Sequence, residues 1–209
     1  MTFAPIIFWQ VDAQVDFMLP GGKLYVPGAE KIIPNLRRLF QAAQTNHALV
    51  VASADAHAPD DPEFKLFPPH CVKGTPGAAI IPEGLAAKRL TIPNDSSLAL
   101  PKNLSGYQQV ILEKQALDVF TNPKAAELVD ALGPNARFIV FGVVTEYCVR
   151  CAAKGLLDRG RSVSIVQDAI ETLKPEEGRC TLEELQSLGA SLITTHQALA
   201  MVENVVRSA

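Results

Sequence analysis

The chain has 209 residues and a mass of 22.5 kDa, with 19 basic and 22 acidic residues and a formal net charge of −3. That length supports one domain with a substantial core, expected over residues 1–209, and falls short of two domains of ordinary size. A near-neutral balance with no basic stripe excludes nucleic acid and anionic membranes as electrostatic partners and leaves a small molecule as the expected one.

Residues 1–10 carry no basic leader, and their apolar run meets Asp12 too early for a signal peptide or a membrane span, so a cytoplasmic location is expected. Within that run, residues 6–11 predict a buried strand that delivers Asp12-Ala-Gln-Val-Asp-Phe17 to its carboxyl end. Pro20-Gly21-Gly22 predicts a turn, and Ile32, Ile33, Leu36, Leu39 and Phe40 have helical spacing across 29–43. A second strand is expected over 48–54. The loop from Asp55 to His70 follows, and its prolines (Pro59, Pro62, Pro68, Pro69) exclude a persistent helix. Residues 80–106 are broken by Pro82, Gly84, Pro93 and Pro101 and show no period; short irregular elements are expected there, covering the site or forming a contact within a homo-oligomer.

Residues 109–112 predict a third strand ending in Glu113 and Lys114, and 123–132 a helix opened by Asn122 and closed by Gly133. The apolar run 138–144 predicts a fourth strand buried on both faces, with Thr145 as N-cap and a helix over 149–157. Cys148 then falls in the first turn of a helix, where free N–H groups and the helix dipole favour the thiolate. A fifth strand is expected at 162–166, a helix at 182–188 and a last strand at 191–193. This βαβα alternation with right-handed crossovers predicts a doubly wound α/β fold, a mostly parallel sheet with helices on both faces.

Three predicted strands end in or lead to reactive side chains: Asp12, Lys114 and Cys148. In a parallel sheet these ends share one edge, where a carboxylate could take the thiol's proton and an ammonium could lower its pKa. Asp55-x-His57 with His70 places carboxylate and imidazole donors on the proline-stiffened loop, the ligand types of Zn²⁺, Fe²⁺ or Mn²⁺. Asp60, Asp61 and Glu63 are further oxygen donors. Cys148-Val-Arg-Cys151 spells the C-x-x-C of redox proteins, but cysteines at that spacing on a helix read first as packing residues, Cys151 among them. Four cysteines (Cys71, Cys148, Cys151, Cys180) are too few for a disulfide scaffold and would stay reduced in the cytoplasm.

In these stretches the sequence resembles the isochorismatase-like cysteine hydrolases, and among them the nicotinamidases (pyrazinamidases). The residues carrying the resemblance are Asp12-Ala-Gln14-Val-Asp16-Phe17, Asp55-Ala-His57, Phe67-Pro-Pro-His70, Gly74-Thr-Pro-Gly77, Lys114 and Gly142-Val-Val-Thr-Glu-Tyr-Cys148-Val-Arg150, in order over nearly the whole chain. It implies a catalytic triad of Asp12, Lys114 and Cys148, and one divalent transition metal, zinc foremost with iron or manganese as alternatives, on Asp55, His57 and His70. Glu63 is the candidate for a further ligand. It also implies a cis peptide at Val143-Val144, an oxyanion hole from the N–H groups of Val144 and Cys148, and a substrate ring held by Phe17, Phe67 and Val143. The implied reaction is hydrolysis of nicotinamide to nicotinic acid and ammonia through a thioester. The alternatives are another amidase of this family, acting on a carbamoyl or aliphatic amide, and more remotely a C-x-x-C redox protein.

Overall fold

Seven strands form one sheet in the computed structural model, which describes residues 5–101 and 103–207. They are β1 (Ile6–Val11), β2 (Val50–Asp55), β3 (Arg89–Ile92), β4 (Gln109–Lys114), β5 (Arg137–Gly142), β6 (Ser162–Ile170) and β7 (Ser191–Ile193). Their order is β3-β4-β2-β1-β5-β6-β7, and every neighbouring pair is parallel.

Successive side chains of a strand point to opposite faces, and both faces are apolar here, as a sheet covered on both sides requires. Ile6, Phe8, Val50, Ile139 and Phe141 form one face and pack with α2 (Ala29–Thr45) and α6 (Thr195–Arg207). Ile7, Trp9, Val51, Val110, Leu112 and Val140 form the other and pack with α3 (Ala125–Ala131), α4 (Arg150–Asp158) and α5 (Pro175–Ser187). The chain winds outward from β1 on one side and from β5 on the other. The carboxyl ends of β1 and β5 therefore flank the crevice where such sheets bind ligands.

The doubly wound architecture is the predicted one, with a sheet that is parallel throughout. Several elements depart from expectation. β3 lies inside the stretch expected to be irregular, because an edge strand with half its residues exposed carries no hydrophobic period. Strand β6 extends to Ile170 although Gln167 and Asp168 are exposed on it, and α5 begins at Pro175, seven residues before its apolar pattern. The short helix α1 (Val15–Met18) and α6 were not predicted. Residues 1–4 of the leader stretch and Lys102 of the irregular stretch lie outside the described residues. No described helix is long and apolar enough to cross a membrane.

Candidate active site and metal centre

Lys114, the last residue of β4, is fully buried between two carboxylates. Its Nζ lies 2.9 Å from Asp12 Oδ2 and 2.5 Å from Asp55 Oδ1, and it donates to Cys148 Sγ at 3.5 Å. Three strand ends and the turn after a fourth thus converge on one ammonium. β2 pairs with β4 so that Asp55 sits beside Lys114 in register, and β1 brings Asp12 alongside Ser53, whose hydroxyl donates to Asp12 Oδ1 at 2.6 Å. Asp12 has a left-handed backbone, φ 44°, a conformation that Asp tolerates better than most residues and that swings its side chain off the strand's alternation.

Burial by itself would lower the Lys114 pKa, but the charges of Asp12 and Asp55 overcome it and hold the ammonium well above the usual lysine range. Burial also works against the Asp55 carboxylate, and here Lys114 and the imidazoles of His57 and His70 win, keeping it far below the usual range. For Asp12 burial prevails over Lys114, and its pKa is raised. The Cys148 thiol is pushed well up, first by burial and then by the anions of Asp12 and Asp55, with Lys114 only partly compensating. Burial and the two anions thus disfavour the thiolate that the helical turn was expected to favour, beside an Asp12 whose own affinity for protons is raised.

The turn that presents Cys148 also differs from the predicted one. Strand β5 ends at Gly142, the Val143-Val144 peptide is cis, and Thr145–Val149 forms a single π-helical turn before α4. Thr145 is not the N-cap; that position falls to Val144, and the Thr145 hydroxyl donates instead to Glu171 O at 2.7 Å. Gly142 is required on two counts: its φ is +120°, and a Cβ there would fall on the Val11 carbonyl.

Beside this cluster the ligand atoms of Asp55, His57 and His70 lie within 4.8 Å of one another, all three residues buried. His70 Nδ1 lies 2.8 Å from Pro68 O, which turns Nε2 toward Asp55 Oδ2 at 3.7 Å. His57 is fully buried, yet neither ring nitrogen makes a well-angled hydrogen bond; Nδ1 lies 3.0 Å from Asp61 Oδ2 and Nε2 3.8 Å from Asp55 Oδ2. A buried imidazole nitrogen with no well-angled hydrogen bond, facing a carboxylate and a second imidazole, fits a metal ligand. Burial lowers the His57 pKa, but Asp55 and Asp61 more than restore it. Glu63 lies in the cleft wall rather than within the converging set, and Asp61 takes the place behind His57.

Two residues of the first polar cluster brace this arrangement. The Gln14 amide accepts from Asp55 N at 2.7 Å and donates to Asp55 O at 2.8 Å, fixing the ligand's backbone. Asp16 accepts from Cys71 N at 2.7 Å, next to His70, and Gly77 leaves room for that carboxylate. The cleft above Cys148 is narrow, with a cavity volume of only about 30 Å³. That is far below the volumes of ligand pockets, so the side chains at its rim close tightly over Cys148 and leave no room for a dinucleotide. Phe17 and Phe67 line it, with ring centroids 5.3 and 6.4 Å from His70. Val144 lines it too, whereas Val143 is sealed in the core and does not, which corrects its expected place in the wall. Leu24, Leu117, Tyr147 and Leu173 complete the cleft and were not anticipated; Tyr147, adjacent to Cys148, was the one with a visible signal.

The Isochorismatase domain family matches residues 7–89 and 85–197. The chain belongs to the isochorismatase family and is a hydrolase. It is 28% identical over 193 residues to the nicotinamidase/pyrazinamidase of Mycobacterium tuberculosis, a match spanning 88% of this chain and 95% of that one. The solved pyrazinamidase of Pyrococcus horikoshii in complex with zinc is similar at 31% identity and a TM-score of 0.72, over 90% of this chain and 98% of that one. The N-carbamoylsarcosine amidase of Thermoplasma acidophilum shares the fold, with a TM-score of 0.72 at 23% identity over 91% and 96% of the two chains.

Proposed function

We propose that this chain is a metal-dependent cysteine amidohydrolase that converts nicotinamide to nicotinic acid and ammonia, serving pyridine nucleotide salvage in the cytoplasm. The observation that carries the reading is the meeting of two clusters in one narrow aromatic cleft: Asp12, Lys114 and Cys148 around one ammonium, and Asp55, His57 and His70 converging beside them. The similarity to the mycobacterial nicotinamidase/pyrazinamidase and the zinc-bound pyrazinamidase supports the same substrate class.

In this reading Asp12 takes the Cys148 proton as sulfur attacks the carboxamide carbon, so that the thiolate forms only in the presence of an acceptor. Lys114 holds its positive charge throughout and balances whichever of Asp12 and Cys148 is the anion. The N–H groups of Val144 and Cys148 receive the developing oxyanion. Asp12 then returns the proton to the leaving nitrogen, which departs as ammonia and leaves a thioester. A water that gives its proton to Asp12 attacks the thioester; nicotinic acid leaves and Cys148 recovers its proton. Phe17 and Phe67 flank the ring. Asp55, His57 and His70 would hold a divalent metal, zinc foremost with iron or manganese as alternatives, which would supply a Lewis acid for the ring nitrogen.

The rival is a metal-free amidase of the same fold acting on a carbamoyl or aliphatic amide, and the converging imidazoles weigh against it. Elemental analysis should find about one transition metal per chain, the capacity of one such ligand set. Ammonia release should be much faster from nicotinamide than from benzamide, which keeps ring and carboxamide and lacks the ring nitrogen. Equal turnover of the two by a metal-free chain would overturn the reading.

A further inference from the structure

The turn that presents the nucleophile also holds a second stretch of chain. The N–H and hydroxyl of Thr145 both donate to Glu171 O, at 2.8 and 2.7 Å. The nearly buried Glu146 carboxylate accepts from Thr172 Oγ1 at 2.6 Å and from the N–H groups of Leu173 and Lys174, each at 2.9 Å. Four consecutive residues of the loop between β6 and α5 are thus fixed by two residues lying just before Cys148 in the chain. Hydrogen bonds to a carboxylate are among the stronger ones, so this loop is held more firmly than a surface connection requires.

What the hold secures is Leu173. Its side chain is 37% exposed, so its burial contributes little to the core, yet it lines the cleft beside Cys148, Phe67 and Tyr147. Leu173 belongs to neither large core cluster. An apolar side chain anchored at the rim of a catalytic cleft restricts what can enter it. We propose that Leu173 is a specificity-determining residue that sets the size of the ring admitted next to Cys148, and that Glu146 is the positioning residue that keeps it there. The proposal rests on the reading of the cleft as an aromatic carboxamide site.

The test compares wild type, Leu173→Ala, Glu146→Gln and the double variant in two assays. The first measures kcat and KM for ammonia release from nicotinamide and from a nicotinamide bearing a bulky ring substituent. The second measures alkylation of Cys148 by iodoacetamide and by N-phenylmaleimide, with peptide mass mapping to separate it from the other cysteines. Leu173→Ala should raise KM for nicotinamide more than it lowers kcat. It should also shift kcat/KM toward the bulky amide by about tenfold, the scale on which apolar pockets discriminate size. The ratio of maleimide to iodoacetamide rates should rise with it. Glu146→Gln keeps one acceptor oxygen and should shift both ratios the same way by less, adding little once Leu173 is already Ala. Unchanged ratios in Leu173→Ala would overturn the proposal, and a Glu146→Gln effect undiminished in the double variant would remove Glu146 from the positioning role. If wild type releases no ammonia from nicotinamide, the substrate reading fails, and the alkylation ratios alone decide whether Leu173 walls the cleft.

Discussion

Lys114 is the residue whose removal the site should tolerate least. It is the cation between Asp12 and Asp55, all three buried, so Lys114→Met would leave two carboxylates in the interior without the ammonium that balances them. Breaking a buried ion pair from one side costs about 3–5 kcal/mol. The pH dependence identifies the cause. In wild type the raised Lys114 pKa stabilises the fold at every pH below the ordinary lysine range, an advantage lost as pH rises through the folded value. The depressed Asp55 pKa stabilises it above the ordinary carboxylate range, an advantage lost on strong acidification. Without the ammonium, burial raises the Asp12 pKa further above its unfolded value, while Asp55 keeps only the imidazoles of His57 and His70 against burial. A carboxyl raised in this way destabilises the fold above its folded pKa, and the penalty fades as pH falls from that value toward the unfolded one. Thermal melts of chelator-treated protein should therefore show the gap between wild type and Lys114→Met widest near neutral pH and narrower toward pH ~5. A gap independent of pH would mean that lost packing, rather than uncompensated charge, destabilises the variant.

The strand ends are where elements become a site, and Gly142 shows how little room they have. It ends β5 where the chain turns toward Cys148, with φ +120° and the Val11 carbonyl where a Cβ would go. Gly142→Ala combines a forbidden backbone with a steric conflict against β1. It should lower stability by more than the ~1 kcal/mol of an ordinary Gly-to-Ala conflict and displace Cys148 from Asp12. Denaturant melts would show the first effect and loss of ammonia release the second. Retention of both would mean that the two strands can part at their ends. At this scale the sequence was informative at the long apolar run of β1, which has its predicted bounds, and at the start of α2; the three-residue β7 also falls at its predicted place. It was silent at β3, whose exposed edge has no period, and misleading at Thr145, whose hydroxyl serves the 171–174 loop instead of a helix end. Asp12, Lys114 and Cys148 could be read together because parallel strands align their ends. Leu117 and Leu173 could not, since their place in the cleft depends on loops whose course no local pattern specifies.

Across the whole molecule, the ligand set ties the carboxyl end of β2 to a loop with few anchors of its own. Between Asp55 and His70 the chain makes a short 3₁₀ turn (Pro62–Lys65) and one parallel bridge from His57 to Val72, and leaves Leu66 82% exposed, while Gln14 and Asp16 fasten its two ends from β1's polar cluster. The proposed metal would join Asp55, at the end of β2, to His57 and His70, drawing both ends of the loop onto the sheet. A ligand that binds only the folded state stabilises it by mass action, about 2.7 kcal/mol at a hundred times its Kd. For a chain of this length each kcal/mol moves Tm by about 2–4 °C, so zinc at that excess should raise the melting temperature of chelator-treated protein by about 5–11 °C. His57→Ala removes an imidazole that has no other well-angled partner. It should therefore abolish the metal-dependent rise while lowering the metal-free Tm far less than Lys114→Met does. Calorimetry with and without zinc on the three proteins separates these effects. An undiminished zinc shift in His57→Ala would place the ion on other residues, and the loop's hold on the sheet would then rest on Gln14, Asp16 and the backbone pairing at positions 56 and 57.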